Sequence, residues 1–162
     1  MTTVPTASTA LDDSTQGREL LGRRVALAAL VGTAFAGFFV IYRVIMAFTS
    51  DMGDRIIEPS LGFHVLGTAV LGALWLGCRS GARSPQFVYI SETIAWVIFA
   101  VAMSGMGVYM PAAGRPDYII LLALSFALMA RAAYVPSTPR RTAIIGLLSA
   151  VPAMIASYIV MS

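Results

Sequence analysis

Five long apolar runs separated by short polar connections organise this chain. They cover Val25 to Phe48, Leu61 to Cys78, Phe87 to Met110, Tyr118 to Tyr134 and Thr142 to Met161. At 24, 18, 24, 17 and 20 residues, each is near the ~20 residues that an α-helix needs to cross ~30 Å of hydrocarbon. The runs are continuous and do not alternate, which argues against the strands of a membrane barrel. The pattern predicts an all-α fold, a polytopic transmembrane helix bundle of about five spans, over residues 18–162. Residues 1–17, rich in Thr, Ser and Asp, predict a disordered tail. The first run begins like a secretory signal, with Ala34-Phe35-Ala36 as a cleavage-like triplet, but it continues through Gly37 to Phe48. A signal's apolar core is shorter than this, so the run reads as an uncleaved span.

Composition sharpens the picture. The chain is 58% hydrophobic and 12% charged, against about 25% charged for a soluble domain. The polar surface that would coat a water-soluble globule is missing. The net charge of +3 comes entirely from arginine, because there is no lysine. Those arginines sit at the ends of apolar runs and form no patch, which points away from nucleic acid and toward the lipid bilayer as partner. The single Cys78 excludes an intramolecular disulfide and a cysteine-based metal site.

The arginines also predict orientation. Arg18, Arg23 and Arg24 precede the first run, Arg79 and Arg83 follow the second, and Arg131, Arg140 and Arg141 surround the hinge after the fourth. The first connection instead carries Asp51, Asp54 and Glu58 against Arg55, and the third carries Arg115 and Asp117. The excess of arginine on alternate connections places the N-terminus, and with it the tail, in the cytoplasm of a cell with an inner membrane. Five spans then put Ser162 on the outer side, and the lack of a polar flank there suggests either a natural five-span protein or part of a longer one.

The hinge carries a resemblance. "LLALSFALMARAAYVPSTPRRTAIIGLLSAVP", with Arg131, Ala132, Ala133, Val135, Pro136, Ser137, Pro139, Arg140, Arg141 and Thr142, resembles the membrane region that precedes the catalytic domain in a group of bacterial eukaryotic-like serine/threonine kinases. "ELLGRRVALAALV" and "LGTAVLGALWLGCRSGARS" are similar to that group's first helix and to its second helix with the basic turn after it. The resemblance implies a membrane anchor or sensor, with a cytoplasmic kinase domain as partner if a longer parent exists. It transfers no catalytic residue: the chain has no Gly-rich phosphate loop, no His-Arg-Asp and no Asp-Phe-Gly, and without lysine it cannot supply the phosphate-contacting lysine.

Two sets of polar residues stand out. Arg43, Asp51, Asp54, Glu58 and His64 could gather into an outer polar cluster able to bind a cation or sense pH, or could be interfacial residues and a snorkelling arginine. Glu92 falls inside the third run, and Arg131 ends the fourth at similar depth. A Glu92–Arg131 or Glu92–Arg79 pair would make each charge tolerable inside a bundle. Arg18, Arg23, Arg24, Arg79, Arg83, Arg140 and Arg141 read as topology arginines. The methionines of "MSGMGVYMP" fill a helix interface more readily than they bind Cu(I). No cofactor is expected. Small residues at fourfold spacing, Ala69, Ala73 and Gly77, Thr33 and Gly37, and Gly146 and Ala150, predict close helix packing within the chain or a homodimer. Function is therefore expected to be that of a membrane anchor or sensor of a signalling protein. The alternative is a free-standing small membrane protein, such as a transporter accessory or assembly subunit.

Overall fold

The computed structural model describes residues 15–49, 58–81, 83–110, 115–135 and 137–161. Its helices are α1 (Thr15–Thr49), α2 (Pro59–Cys78), α3 (Pro85–Val108), α4 (Pro116–Tyr134) and α5 (Pro139–Met161). No strand occurs among the described residues. All five helices are long and apolar enough to cross a bilayer, and the chain is an all-α integral membrane protein.

Prolines set the starts of α2 to α5. A proline in the first helical turn loses no hydrogen bond, because that N–H would have no intrahelical partner, and its fixed φ already suits a helix. Ser84 caps α3 by accepting from the Phe87 N–H at 3.2 Å. Thr138 Oγ1 accepts from the Arg141 N–H at 3.3 Å in the first turn of α5. Ahead of α4, Arg115 adopts a left-handed backbone with φ 48°, a conformation that non-glycine residues rarely take. Its guanidinium donates to both carboxylate oxygens of Asp117, at 3.2 and 3.0 Å, and lies 4.2 Å from the centre of the Tyr118 ring. The carboxylate pushes the guanidinium pKa upward, so this clamp carries its full charge at any physiological pH.

α1 has 35 residues, about 52 Å at 1.5 Å per residue. It begins at Thr15, before the expected end of the disordered tail at residue 17; residues 1–14 of that tail lie outside the described residues. This early start has a packing reason. Leu21, Val25 and Ala28 are buried with Leu74 and Cys78 of α2 and Val88 of α3, so the first turns of α1 lie against the α2–α3 connection. Gly22 makes the approach possible, since a Cβ there would sit 3.1 Å from Gly81 Cα and 3.5 Å from the Cys78 carbonyl oxygen.

α3 is the axis of the bundle and packs against all four other helices. Its buried Trp96, Phe99, Met103 and Met106 join Leu71 of α2, Ile120 and Leu124 of α4, and Ile145 of α5 in one apolar core. Apolar side chains also cover the outside: Phe38, Ile41, Leu121, Leu147 and Tyr158 are exposed, as expected where lipid is the solvent. Tyr42, Tyr109 and Tyr118 are exposed near the helix ends opposite the arginine-rich one, suitable positions for interfacial anchors.

On α2 the small-residue row does not pack within the chain, so that form of the expectation is corrected there, and the homodimer form is untouched by it. That helix buries Ser60, His64, Gly67, Leu71, Leu74 and Cys78, whereas Ala69 and Ala73 are exposed and a Cβ on Gly77 would meet nothing within 4 Å. The close approach falls at Gly67, where a Cβ would lie 3.3 Å from the Phe99 ring and 3.4 Å from Ala102 Cβ.

The Gly22–Gly81 contact is backbone against side-chain position and has little room to yield. Gly22→Val is expected to destabilise the protein by about 1–3 kcal/mol through overpacking. Gly77→Ala, into open space, is expected to be neutral or mildly stabilising. Thermal unfolding in detergent, followed by circular dichroism, compares the two.

Candidate functional site

The arginine-rich end of the bundle encloses a buried ionic centre. Glu92 occupies the third turn of α3, on the face that turns inward with Ala95, Trp96 and Phe99. Its relative exposure is 0%. Arg131, from the last turn of α4, is 1% exposed and donates through Nε to Glu92 Oε1 at 2.7 Å. Arg141, from the first turn of α5, donates through Nη2 to Glu92 Oε2 at 2.5 Å. One carboxylate thus receives a guanidinium from each side of the connection between α4 and α5.

The surrounding polar groups complete the arrangement. Arg131 Nη1 donates to Thr142 Oγ1 at 3.4 Å and Nη2 to Ser137 Oγ at 3.5 Å. The two hydroxyls bond each other at 2.7 Å. Arg141 Nη2 also donates to the Tyr89 carbonyl at 2.8 Å and to Thr93 Oγ1 at 3.4 Å, and its guanidinium lies 3.9 Å from the centre of the Tyr89 ring. Removing a carboxylate and a guanidinium from water is expensive unless such bonds replace the lost hydration. Here both carboxylate oxygens and all three Arg131 nitrogens have protein partners. Two cations and one anion leave a formal charge of +1, which Arg141, half-buried at 20% side-chain exposure, can share with the interface.

Of the two partners that the sequence offers Glu92, the structure brings up Arg131. Arg79 lies instead over the Trp75 ring at 5.6 Å. Arg141 reads from the sequence as a topology arginine only, yet it is a ligand of the same carboxylate. Because α5 starts at Pro139, one helical step of about 100° separates Arg140, which is exposed, from Arg141, which turns inward. Arg18, Arg23, Arg24 and Arg83 are exposed at this same end.

The expected outer cluster forms in part. Arg43 Nη2 donates to the buried Ser60 Oγ at 2.9 Å, and Ser60 Oγ donates to Glu58 Oε2 at 3.3 Å. Arg43 and Glu58 make a longer ion pair at 3.7 Å. His64 lies one turn beyond Ser60 on the buried face of α2 and is 6% exposed. Asp51 and Asp54 lie outside the described residues. Arg43 and His64 stand at one end of a cavity of about 310 Å³ between α1, α3 and α4. The cavity, which the sequence does not announce, is lined by aromatic and methionine side chains, Met103, Met106 and Met110 among them. No group of three or more His, Cys, Asp and Glu that could hold a metal ion occurs among the described residues.

No family model, curated protein or solved structure matches the chain.

Removing the carboxylate leaves two guanidiniums facing each other inside the bundle. Glu92→Leu is expected to cost about 3–5 kcal/mol, as for other broken buried pairs. Glu92→Leu combined with Arg131→Leu is expected to cost less than Glu92→Leu alone, because it removes the uncompensated buried cation while Arg141 can reach the interface. Unfolding midpoints in detergent, with the exposed Arg83→Gln as a control near zero, measure the difference.

Proposed function

We propose that this chain is the membrane anchor and sensor region of a bacterial signalling protein, with the connection between α4 and α5 as its coupling element. The observation that carries this reading is the shared carboxylate: Glu92 on α3 holds Arg131 at the end of α4 and Arg141 at the start of α5. These bonds give a change in helix packing elsewhere in the bundle a direct route to the connection between α4 and α5. When Glu92 holds both arginines, α5 is tied to the central helix. When it releases Arg141, which is the more exposed of the two, α5 can shift while Arg131 keeps α4 in place. A discrete two-position element of this kind is what a signal can bias. The serine/threonine-kinase form of the proposal draws its support from the resemblance around residues 127–148. The distribution of arginine supports an orientation with this end in the cytoplasm.

Reporter fusions after Gly81, Arg115 and Ser162 test the orientation. Cytoplasmic activity at Gly81 and outer-side activity at Arg115 and Ser162 are expected, and outer-side activity at Gly81 would reverse it. Spin labels at the exposed Gln86 and Arg140, in a Cys78→Ala background, test the coupling by electron-electron distance measurement in nanodiscs. Wild type is expected to give one dominant α3–α5 distance and Glu92→Gln a second, longer one. Identical distributions would make the ionic centre a static brace and favour a free-standing membrane subunit. An open reading frame running from codon 162 into a kinase would support the kinase form, and a stop codon there would contradict it.

A further inference from the structure

The cavity at the end opposite the arginine-rich one has the shape and chemistry of a lipid site. It runs beside α1 from Gly32 to Arg43, a length of about 16 Å at 1.5 Å per residue. That is close to half of the ~30 Å hydrocarbon thickness, or one leaflet. Toward its inner end Phe35 of α1 stacks on Phe126 of α4, with ring centres 4.1 Å apart, and both rings line the cavity. Between those rings and Arg43 the walls are apolar, formed by Phe39, Phe99, Met103 and Leu122 among others. Helix bundles do not normally leave such a volume unfilled, since packed interiors tolerate few voids larger than a water molecule.

Two polar side chains, Arg43 and His64, stand at the other end of this otherwise apolar cavity. Arg43 uses Nη2 on Ser60, but its Nη1 is buried without a hydrogen-bond partner. His64, more than nine-tenths buried, presents Nδ1 without a partner as well. Both residues line the cavity. A buried guanidinium N–H without an acceptor is costly, and a phosphodiester oxygen is the acceptor that arginine geometry fits best. A neutral imidazole nitrogen can donate to or accept from the same headgroup. An apolar slot one leaflet long, ending beside a guanidinium that pairs with Glu58 through Nη2 and keeps Nη1 without an acceptor, is complementary to one molecule that surrounds the protein in its own solvent.

We propose that this cavity binds an anionic phospholipid, with one acyl chain between α1 and α4 and its phosphate on Arg43 and His64. The site is remote from Glu92, and the inference stands whether or not α5 transmits a signal. If both hold, lipid occupancy sets the spacing of α1 and α4 and is a means by which the bilayer could bias the bundle. The methionines on the α3 wall suit this use, because their unbranched thioethers adapt to an irregular chain.

Native mass spectrometry tests the proposal on the full chain released from nanodiscs of equimolar dioleoyl-phosphatidylglycerol and dioleoyl-phosphatidylcholine. One retained lipid per chain is expected, with phosphatidylglycerol preferred roughly tenfold, the equivalent of ~1.4 kcal/mol. Arg43→Gln is expected to keep a lipid but bring the two species to near-equal occupancy. Ala123→Phe, which fills the slot, is expected to abolish retention; Arg43→Gln and Ala123→Phe are compared only if their far-ultraviolet circular dichroism matches wild type. Should Ala123→Phe fail to fold, Ala36→Leu blocks the same slot from α1. No retained lipid, a wild-type ratio equal to the bulk mixture, or a second copy of the chain occupying the groove in a dimer that Ala123→Phe disrupts would each overturn the proposal.

Discussion

The bundle depends on making one carboxylate tolerable away from water. Glu92 sits on the central helix with no exposed surface, and an ionised side chain in that position is costly unless opposite charge and hydrogen bonds stand in for water. Arg131 and Arg141 do this from two different helices. The same requirement fixes how far α4 may extend, where the connection turns, and which side of α5 faces α3. Ser137 and Thr142, which bond each other and reach Arg131, bind the turn into the network. The ion pairs contribute specificity of arrangement more than net stability, since a well-packed apolar substitute could match their energy.

Lipid-like exteriors explain the rest of the architecture. With apolar side chains on both the packed and the outer faces, burial cannot by itself select which side of a helix turns inward. Close approach does so instead. Gly67 brings α2 onto Phe99 and Ala102 of α3, and Gly22 brings α1 onto the α2–α3 connection. The packing is uneven: α3 is well surrounded, while α1, α3 and α4 leave between them the cavity that Arg43 and His64 line at one end. The two halves thus have different characters, one locked by ions and one open to its solvent.

Much of this was legible in the residues. Continuous apolar runs of bilayer length and the prolines between them mark all five helices, because length and hydropathy are properties of single segments. Glu92 and Arg131 stand out as charges at similar depth in neighbouring runs. Arg141 does not, because its role depends on one helical step from Arg140, and that step is fixed only by the start of α5 at Pro139. The inward side of α2 is not legible in the sequence for a related reason. Ala69, Ala73 and Gly77 form a regular small-residue row, but His64, Gly67, Leu71 and Leu74 form the row that α3 accepts, and two apolar rows cannot be ranked without the partner helix. Met103 and Met106 read in the sequence as filling a helix interface, so the space beside them is visible only in three dimensions.

The ionised state of Glu92 is the point on which these features converge. Infrared difference spectroscopy between wild-type protein and Glu92→Gln, both reconstituted in bilayers at neutral pH, reads it directly. A carboxylate stretching band that disappears in Glu92→Gln is the predicted result. Loss of a protonated carboxyl band in its place would show a neutral Glu92, and the ionic centre that joins α3, α4 and α5 would not exist.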